Sequence, residues 1–174
     1  MTRAFLSLGS NIEPEKNIVQ AVKMLADNVR LVKSSTVFLT HPLRRRSQPC
    51  YYNCVVEVDT EIDPVKLKTE ILRGIEEKLG RKRGRDKYAS RTIDIDLELY
   101  GDLCLSTEDL VLPDPEIRHR SFLSGPLCEL EPNLIMPDTG ERICEIAAKF
   151  RNQKMERLED FSNKLCKLIK GLGV

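Results

Sequence analysis

The sequence carries almost no surplus charge. Lys and Arg number 28 against 27 Asp and Glu, a formal net charge of +1. A dedicated nucleic-acid binder usually shows a large basic excess, so this balance counts against that class. Long apolar runs are missing too. None approaches the ~18 residues of a membrane span, and Met1 to Pro14 has too few consecutive apolar residues to read as a signal peptide. Only two histidines accompany six cysteines. Cys50, Cys54, Cys104, Cys128, Cys144 and Cys166 are irregularly spaced and form no C-x-x-C, so no zinc pattern is read from them. Reduced thiols in a cytoplasmic protein are the expectation. Internal repeats and low-complexity tracts are absent as well.

What is present reads as one domain. The chain has 174 residues, and a domain takes roughly 150. Apolar residues make up 41% and charged residues 32%, the mixture of an ordinary globular chain. Ala4 to Leu8 is a short apolar run ending at Gly9-Ser-Asn11, a strand followed by a turn. Ile18, Ala21, Val22 and Leu25 recur at helical spacing. Leu31 to Leu39 and Cys54 to Thr60 read as strands. Asp63-Pro64 is an N-cap with proline at the first helical position, and Leu67, Ile71, Ile75 and Leu79 make the apolar stripe of the helix that Gly80 closes. Ile93, Ile95, Leu97 and Leu99 then alternate with Asp94, Asp96, Glu98 and Tyr100, the clearest strand in the chain.

The order βαββαβ predicts an α+β, ferredoxin-like antiparallel sheet with helices on one face, plus C-terminal helices. That topology gathers the end of the first strand, the 40–52 connection and the 80–91 connection at one sheet edge. Compact domains rarely carry loops this long unless they bind something. Residues 1–150 read as the functional domain and 151–174 as its C-terminal helical extension.

Two clusters fall at that edge. Asp94 and Asp96 share a strand face about 6.5–7 Å apart, a spacing that suits Mg²⁺ bridging phosphate oxygens. A bare D-x-D is more often a solvated face. Directly upstream, however, Gly80 to Arg91 holds six basic residues and one acid. Guanidinium forks beside a carboxylate pair suit a nucleoside triphosphate. The P-loop pattern is missing, and Gly9-Ser10 lies too far upstream for a nucleotidyltransferase acid pair. In the second cluster Tyr51 and Phe122 offer aromatic faces for a flat heterocycle and Asn53 an amide for its edge, although core aromatics with a polar cap are the blander reading.

These residues carry a family resemblance. Ser7-Leu-Gly-Ser-Asn11, Gln48-Pro-x-Tyr-x-Asn53, Gly80-Arg-x-Arg83, Arg91-Thr-Ile-Asp-Ile-Asp96, Pro113-Asp-Pro, Arg120-x-Phe122 and Pro126-Leu127 occur in that order. Together they resemble the 6-hydroxymethyl-7,8-dihydropterin pyrophosphokinases of folate biosynthesis over roughly residues 3–150. The resemblance implies diphosphate transfer from ATP to the pterin hydroxymethyl group, with AMP released. It implies Asp94 and Asp96 as ligands of two Mg²⁺. No firm general base is assigned: the acidity of a metal-coordinated hydroxyl can suffice, and Asp96 is the nearest candidate to accept its proton. Tyr51 and Phe122 would sandwich the pterin, and Asn53 and backbone near Thr40, His41 and Leu43 would bind its edge. Arg81, Arg83, Arg91 and Arg120 would meet the phosphates, with Arg81 and Arg91 catalytic. Glu76, Tyr88 and Leu97 would lie by the nucleotide. The partners implied are ATP and the dihydropterin, with no nucleic acid and no membrane, in a monomer or homodimer.

Some positions depart from the family pattern. Asp114 stands in place of the histidine of Pro-His-Pro, Tyr88 where tryptophan is common, and Asp109 where a basic residue can touch the nucleotide. Asp114 would repel a triphosphate unless a cation, Arg118 or Arg120 offsets it. Arg44-Arg-Arg46 would add positive charge at the phosphate end. A ferredoxin-like RNA-binding module, or a family member that binds without turnover, are the alternatives. Met155, Leu158, Phe161, Leu165, Leu168 and Leu172 predict a C-terminal helix, with its own domain or a dimer contact as the surface it packs on.

Overall fold

The computed structural model describes residues 1–42 and 47–173. Its main sheet is antiparallel, built from β1 (Thr2–Ser10), β4 (Tyr51–Thr60), β5 (Asp94–Tyr100), β3 (Phe38–Thr40) and β8 (Glu156–Arg157) in the order β5-β1-β4-β3-β8, with β2 (Arg30–Ser34) also paired to β4. β1 is central because alternate residues serve two cores. Ala4, Leu6 and Leu8 point to one face, where they pack with Ile18, Ala21, Val22 and Leu25 of α1 (Pro14–Ala26). Phe5 points to the other face.

The helix opened by Asp63 runs as α2 (Pro64–Lys66), a π-helical stretch (Leu67–Leu72) and α3 (Arg73–Lys78). The Asp63 carboxylate caps it, accepting from the Val65 and Lys66 amides at 3.0 and 3.1 Å. The expected stripe therefore shifts. Leu67 and Leu72, five apart in sequence as the wider i→i+5 turn requires, are both buried, while Ile71 is only partly so.

The expected single strand from Leu31 to Leu39 is two strands. At Ser35 and Thr36 side chains take over the hydrogen bonding: Ser35 Oγ accepts from the Val55 amide at 3.0 Å, and the Thr36 amide donates to Glu129 at 2.7 Å. β3 is then completed on its outer side by β8, with Phe38 opposite Arg157. β6 (Leu105–Ser106) and β7 (Val111–Leu112) pair as a separate two-stranded sheet.

The ferredoxin-like architecture stands, with α1, the 64–78 helix and α6 (Glu159–Leu172) on one face. The other face is not open. α4 (Ser121–Leu130) and α5 (Ile143–Ala148) close it over a second core of Phe5, Val55, Leu99, Ile117, Leu127, Met136 and Ile146. The C-terminal helix packs on its own domain, burying Phe161, Leu165 and Ile169 in the first core. One expectation is corrected here. Cys128 and Cys144 form a disulfide between α4 and α5, with Cα atoms 5.0 Å apart, while the other four cysteines are free. Irregular spacing along the chain concealed a pairing created only when the two helices meet.

Candidate active site

A cavity of about 360 Å³ opens between the second sheet face and the segment from Asp114 to Leu123. Strand register builds its floor. Asn53, Gly9 and Asp94 lie side by side across β4, β1 and β5, and Ser7 lies beside Asp96 in the next same-face row. Gly9 is required there: a Cβ at that position would come 2.7 Å from Asn53 Oδ1. With that space open the Asn53 amide lies across β1, while its Nδ2 donates to Thr40 Oγ1 at 2.6 Å. Tyr51 faces the cavity from β4 and Phe122 from α4, so the aromatics stand on opposite walls.

The β5 side is charged. Arg81 donates to one oxygen of Asp94 at 2.6 Å and Arg91 to the other at 2.5 Å. Arg81 also pairs with Glu76, and Arg83 meets the second Glu76 oxygen at 2.5 Å. Glu76 in turn accepts from the Ile95 amide at 2.9 Å, tying α3 to the free edge of β5. Burial raises the Glu76 carboxyl above its ordinary range, and that bond and the guanidinium groups of Arg81 and Arg83 offset the rise only in part.

Asp96, Glu98 and Asp114 have no cationic partner of this kind among the described residues. Burial, then the charges of Asp94, Glu76 and Asp114, push the Asp96 carboxyl up to about 7. Glu98 is 1% exposed. One of its oxygens accepts from Ser7 Oγ at 2.6 Å, and the other, Oε2, has no hydrogen-bond partner. Unneutralised carboxylates on adjacent same-face positions, supplying oxygen ligands only, fit a hard divalent cation. Among the described residues no three His, Cys, Asp or Glu side chains converge on a cage. An ion held by Asp94 and Asp96 would have to replace Arg81 and Arg91 on Asp94 and would draw its remaining ligands from water or a bound phosphate.

The predicted residues sort cleanly. Thr40, His41, Tyr51, Asn53, Tyr88, Arg91, Asp94, Asp96, Arg120 and Phe122 line the one cavity. Arg81, Arg83 and Glu76 reach it through Asp94. The Leu97 side chain is 2% exposed in the opposite core, so only its backbone can face a ligand. Leu43 and Arg44 to Arg46 lie outside the described residues. Asn11, in the Ser7-Leu-Gly-Ser-Asn11 motif, has a structural role. It fastens the two long loops together: its Oδ1 accepts from the Arg91 amide at 2.8 Å, and its Nδ2 donates to Pro49 O at 3.3 Å and Ser90 Oγ at 3.2 Å. Glu98 was missed, because a charged residue on an alternating strand reads as solvent-facing.

Fold and site define a ferredoxin-like domain whose cavity joins an aromatic-walled slot to a carboxylate–guanidinium cluster. The family model of 7,8-dihydro-6-hydroxymethylpterin-pyrophosphokinase matches residues 5–132. The chain is 35% identical over 161 residues to the 2-amino-4-hydroxy-6-hydroxymethyldihydropteridine pyrophosphokinase of Haemophilus influenzae, covering 91% of this chain and 99% of that one. It is 39% identical over 162 residues to the protein of the same name from Methylorubrum extorquens, covering 91% and 100%. Among solved structures, Plasmodium falciparum HPPK-DHPS with pterin and p-hydroxybenzoate shares the fold, with a TM-score of 0.70 at 14% identity. That match covers 87% of this chain and 42% of the Plasmodium chain, so this chain spans less than half its length. This chain belongs to the 7,8-dihydro-6-hydroxymethylpterin-pyrophosphokinase family.

Proposed function

We propose that this protein transfers diphosphate from ATP to the hydroxymethyl group of 6-hydroxymethyl-7,8-dihydropterin, releasing AMP, in folate biosynthesis. The observation that carries the reading is the opening of the Asp94–Asp96 row into the same cavity as Tyr51, Asn53 and Phe122. The pterin lies between the two aromatic rings with its donor and acceptor edge at Asn53. Its hydroxyl is thereby held near the carboxylate row.

The hydroxyl oxygen attacks the β-phosphorus in line. The bond from that phosphorus to the oxygen bridging the α-phosphate breaks, and AMP carries the electron pair away. Asp94 and Asp96 would hold Mg²⁺, two ions in this reading, which when bound would neutralise charge on the triphosphate. Arg81 and Arg91 leave Asp94 for the phosphates, so their role is to offset charge that develops as the bond breaks. Asp96 is the nearest group on the row to take up the hydroxyl proton, unless coordination alone makes the hydroxyl acidic enough. The loops fastened by Asn11 keep competing water out.

The alternative of an RNA-binding module loses its surface, since α4 and α5 cover the sheet face that such modules leave open. No helix among the described residues is long and apolar enough to cross a membrane. The test is AMP release from ATP and Mg²⁺ with and without the hydroxymethyl-dihydropterin. Pterin-dependent AMP is expected, falling about 10²–10³-fold in Asp94→Ala or Asp96→Ala. ATP turnover that ignores the pterin would overturn the assignment, and no turnover at all would leave a protein that binds without catalysis.

A further inference from the structure

Beyond the two aspartates, the carboxylate row continues. Glu98 follows Asp96 on the same face of β5, and the Asp114 amide donates to the Glu98 carbonyl at 2.9 Å, which sets the two acidic residues side by side along the strand edge. Both line the cavity.

Nothing among the described residues neutralises this pair. Arg118 is committed elsewhere, donating to Glu141 at 3.0 Å and to Asp138 and Thr139 at 2.8 Å each. Arg120 donates to Glu116 at 2.6 Å. Lys68, on the π-helical stretch, faces Asp114 closely enough to ease its charge but makes no ion pair with it. Asp114 spends one oxygen on the Glu116 amide at 2.8 Å. The Ser7 hydroxyl holds Glu98 Oε1, while Oε2, fully buried, meets no donor. An unpaired carboxylate oxygen inside a protein is costly and calls for a partner.

We propose that Glu98 and Asp114 bind a divalent cation of the Mg²⁺ or Mn²⁺ type, separate from any ion on Asp94 and Asp96. The donors are all oxygen, which favours a hard ion over zinc or copper. Two carboxylates are an ordinary number of protein ligands for Mg²⁺. Such an ion converts a patch that would repel a triphosphate into one that attracts it, at the position where relatives by resemblance carry a histidine. It rests on the geometry of Glu98 and Asp114 and does not require the transfer reaction.

The test counts ions rather than turnover. Mn²⁺ is titrated into the nucleotide-free full chain, free Mn²⁺ is read by electron paramagnetic resonance, and wild type is compared with Glu98→Gln, Asp114→Asn and Asp94→Asn. Wild type is expected to bind one more Mn²⁺ than Glu98→Gln or Asp114→Asn, or to bind it at least tenfold more tightly, and Asp94→Asn is expected to keep that ion. Equal stoichiometry and Kd in wild type, Glu98→Gln and Asp114→Asn would overturn the site and leave two protonated carboxyls. Loss of the ion in Asp94→Asn would also overturn it, by assigning the ion to the Asp94–Asp96 pair. If Glu98→Gln does not fold, Asp114→Asn decides alone, since asparagine keeps the cap on Glu116. Failure of pterin-dependent AMP release leaves this count untouched.

Discussion

At position 9 a single hydrogen atom in place of a methyl group decides where the Asn53 amide lies. Gly9→Ala puts a Cβ 2.7 Å from Asn53 Oδ1, while Thr40 holds the other end of the same amide. The amide must shift, which in the proposed reading takes it off the pterin edge. The expected outcome is a dihydropterin KM raised about tenfold, the loss of one good hydrogen bond, with a thermal midpoint close to wild type. Steady-state kinetics against both substrates checks it, and an equal rise in ATP KM would count against this account. A second residue-scale outcome concerns thiols. Burial pushes the Cys54 thiol up to about 12, so at pH 8 its thiolate is ~10⁻⁴ of the population. A thiol reagent should modify exposed Cys104 quickly and leave Cys54 untouched until the chain unfolds. Without reductant, four thiols are expected in denaturant, rising to six after reduction. Legibility in the sequence follows the same physics. Asp94 and Asp96 stood out because basic neighbours lie a few residues away, whereas Glu98 gains meaning only from Asp114 and Ser7, which are distant in sequence.

Among the secondary elements, the βαββαβ order was readable because hydrophobic period distinguishes strand from helix within a few residues. The break between β2 and β3 was not, since it depends on Glu129 reaching the Thr36 amide from α4. Nor was the wide turn at Leu67–Leu72, where the core accepts Leu72 in place of Ile71. The packing surface of α6 was equally hidden, because an amphipathic stripe does not name its partner. Its answer makes a prediction: Leu165 is fully buried in the core shared with β1. Leu165→Ala should destabilise the protein by about 2–5 kcal/mol, measured by urea unfolding, although the helix contributes no side chain to the cavity. An effect below about 1 kcal/mol would mean that α6 is only loosely docked.

For the molecule as a whole, the second face is the distinctive addition to the ferredoxin-like plan, and a covalent bond helps to hold it. Cys128 and Cys144 are separated by 16 residues, and closing a loop of that length contributes about 3 kcal/mol. Replacing both by serine should lower the thermal midpoint, and reductant should destabilise wild type but not the double variant. Phe122 and Leu123 precede the bridge on the same helix and line the cavity, so the dihydropterin KM is the kinetic constant expected to rise with it. A different consequence follows from the arginines on Asp94. Arg81 and Arg91 are both paired to Asp94, so part of the loop's positive charge is already met by a carboxylate before any ligand binds. A long nucleic acid must break those pairs using phosphates alone. In the proposed reading, a small polyphosphate bound with a divalent cation would offer Asp94 a replacement for the arginines it gives up, and that exchange would favour it over a polyanion bringing phosphates alone.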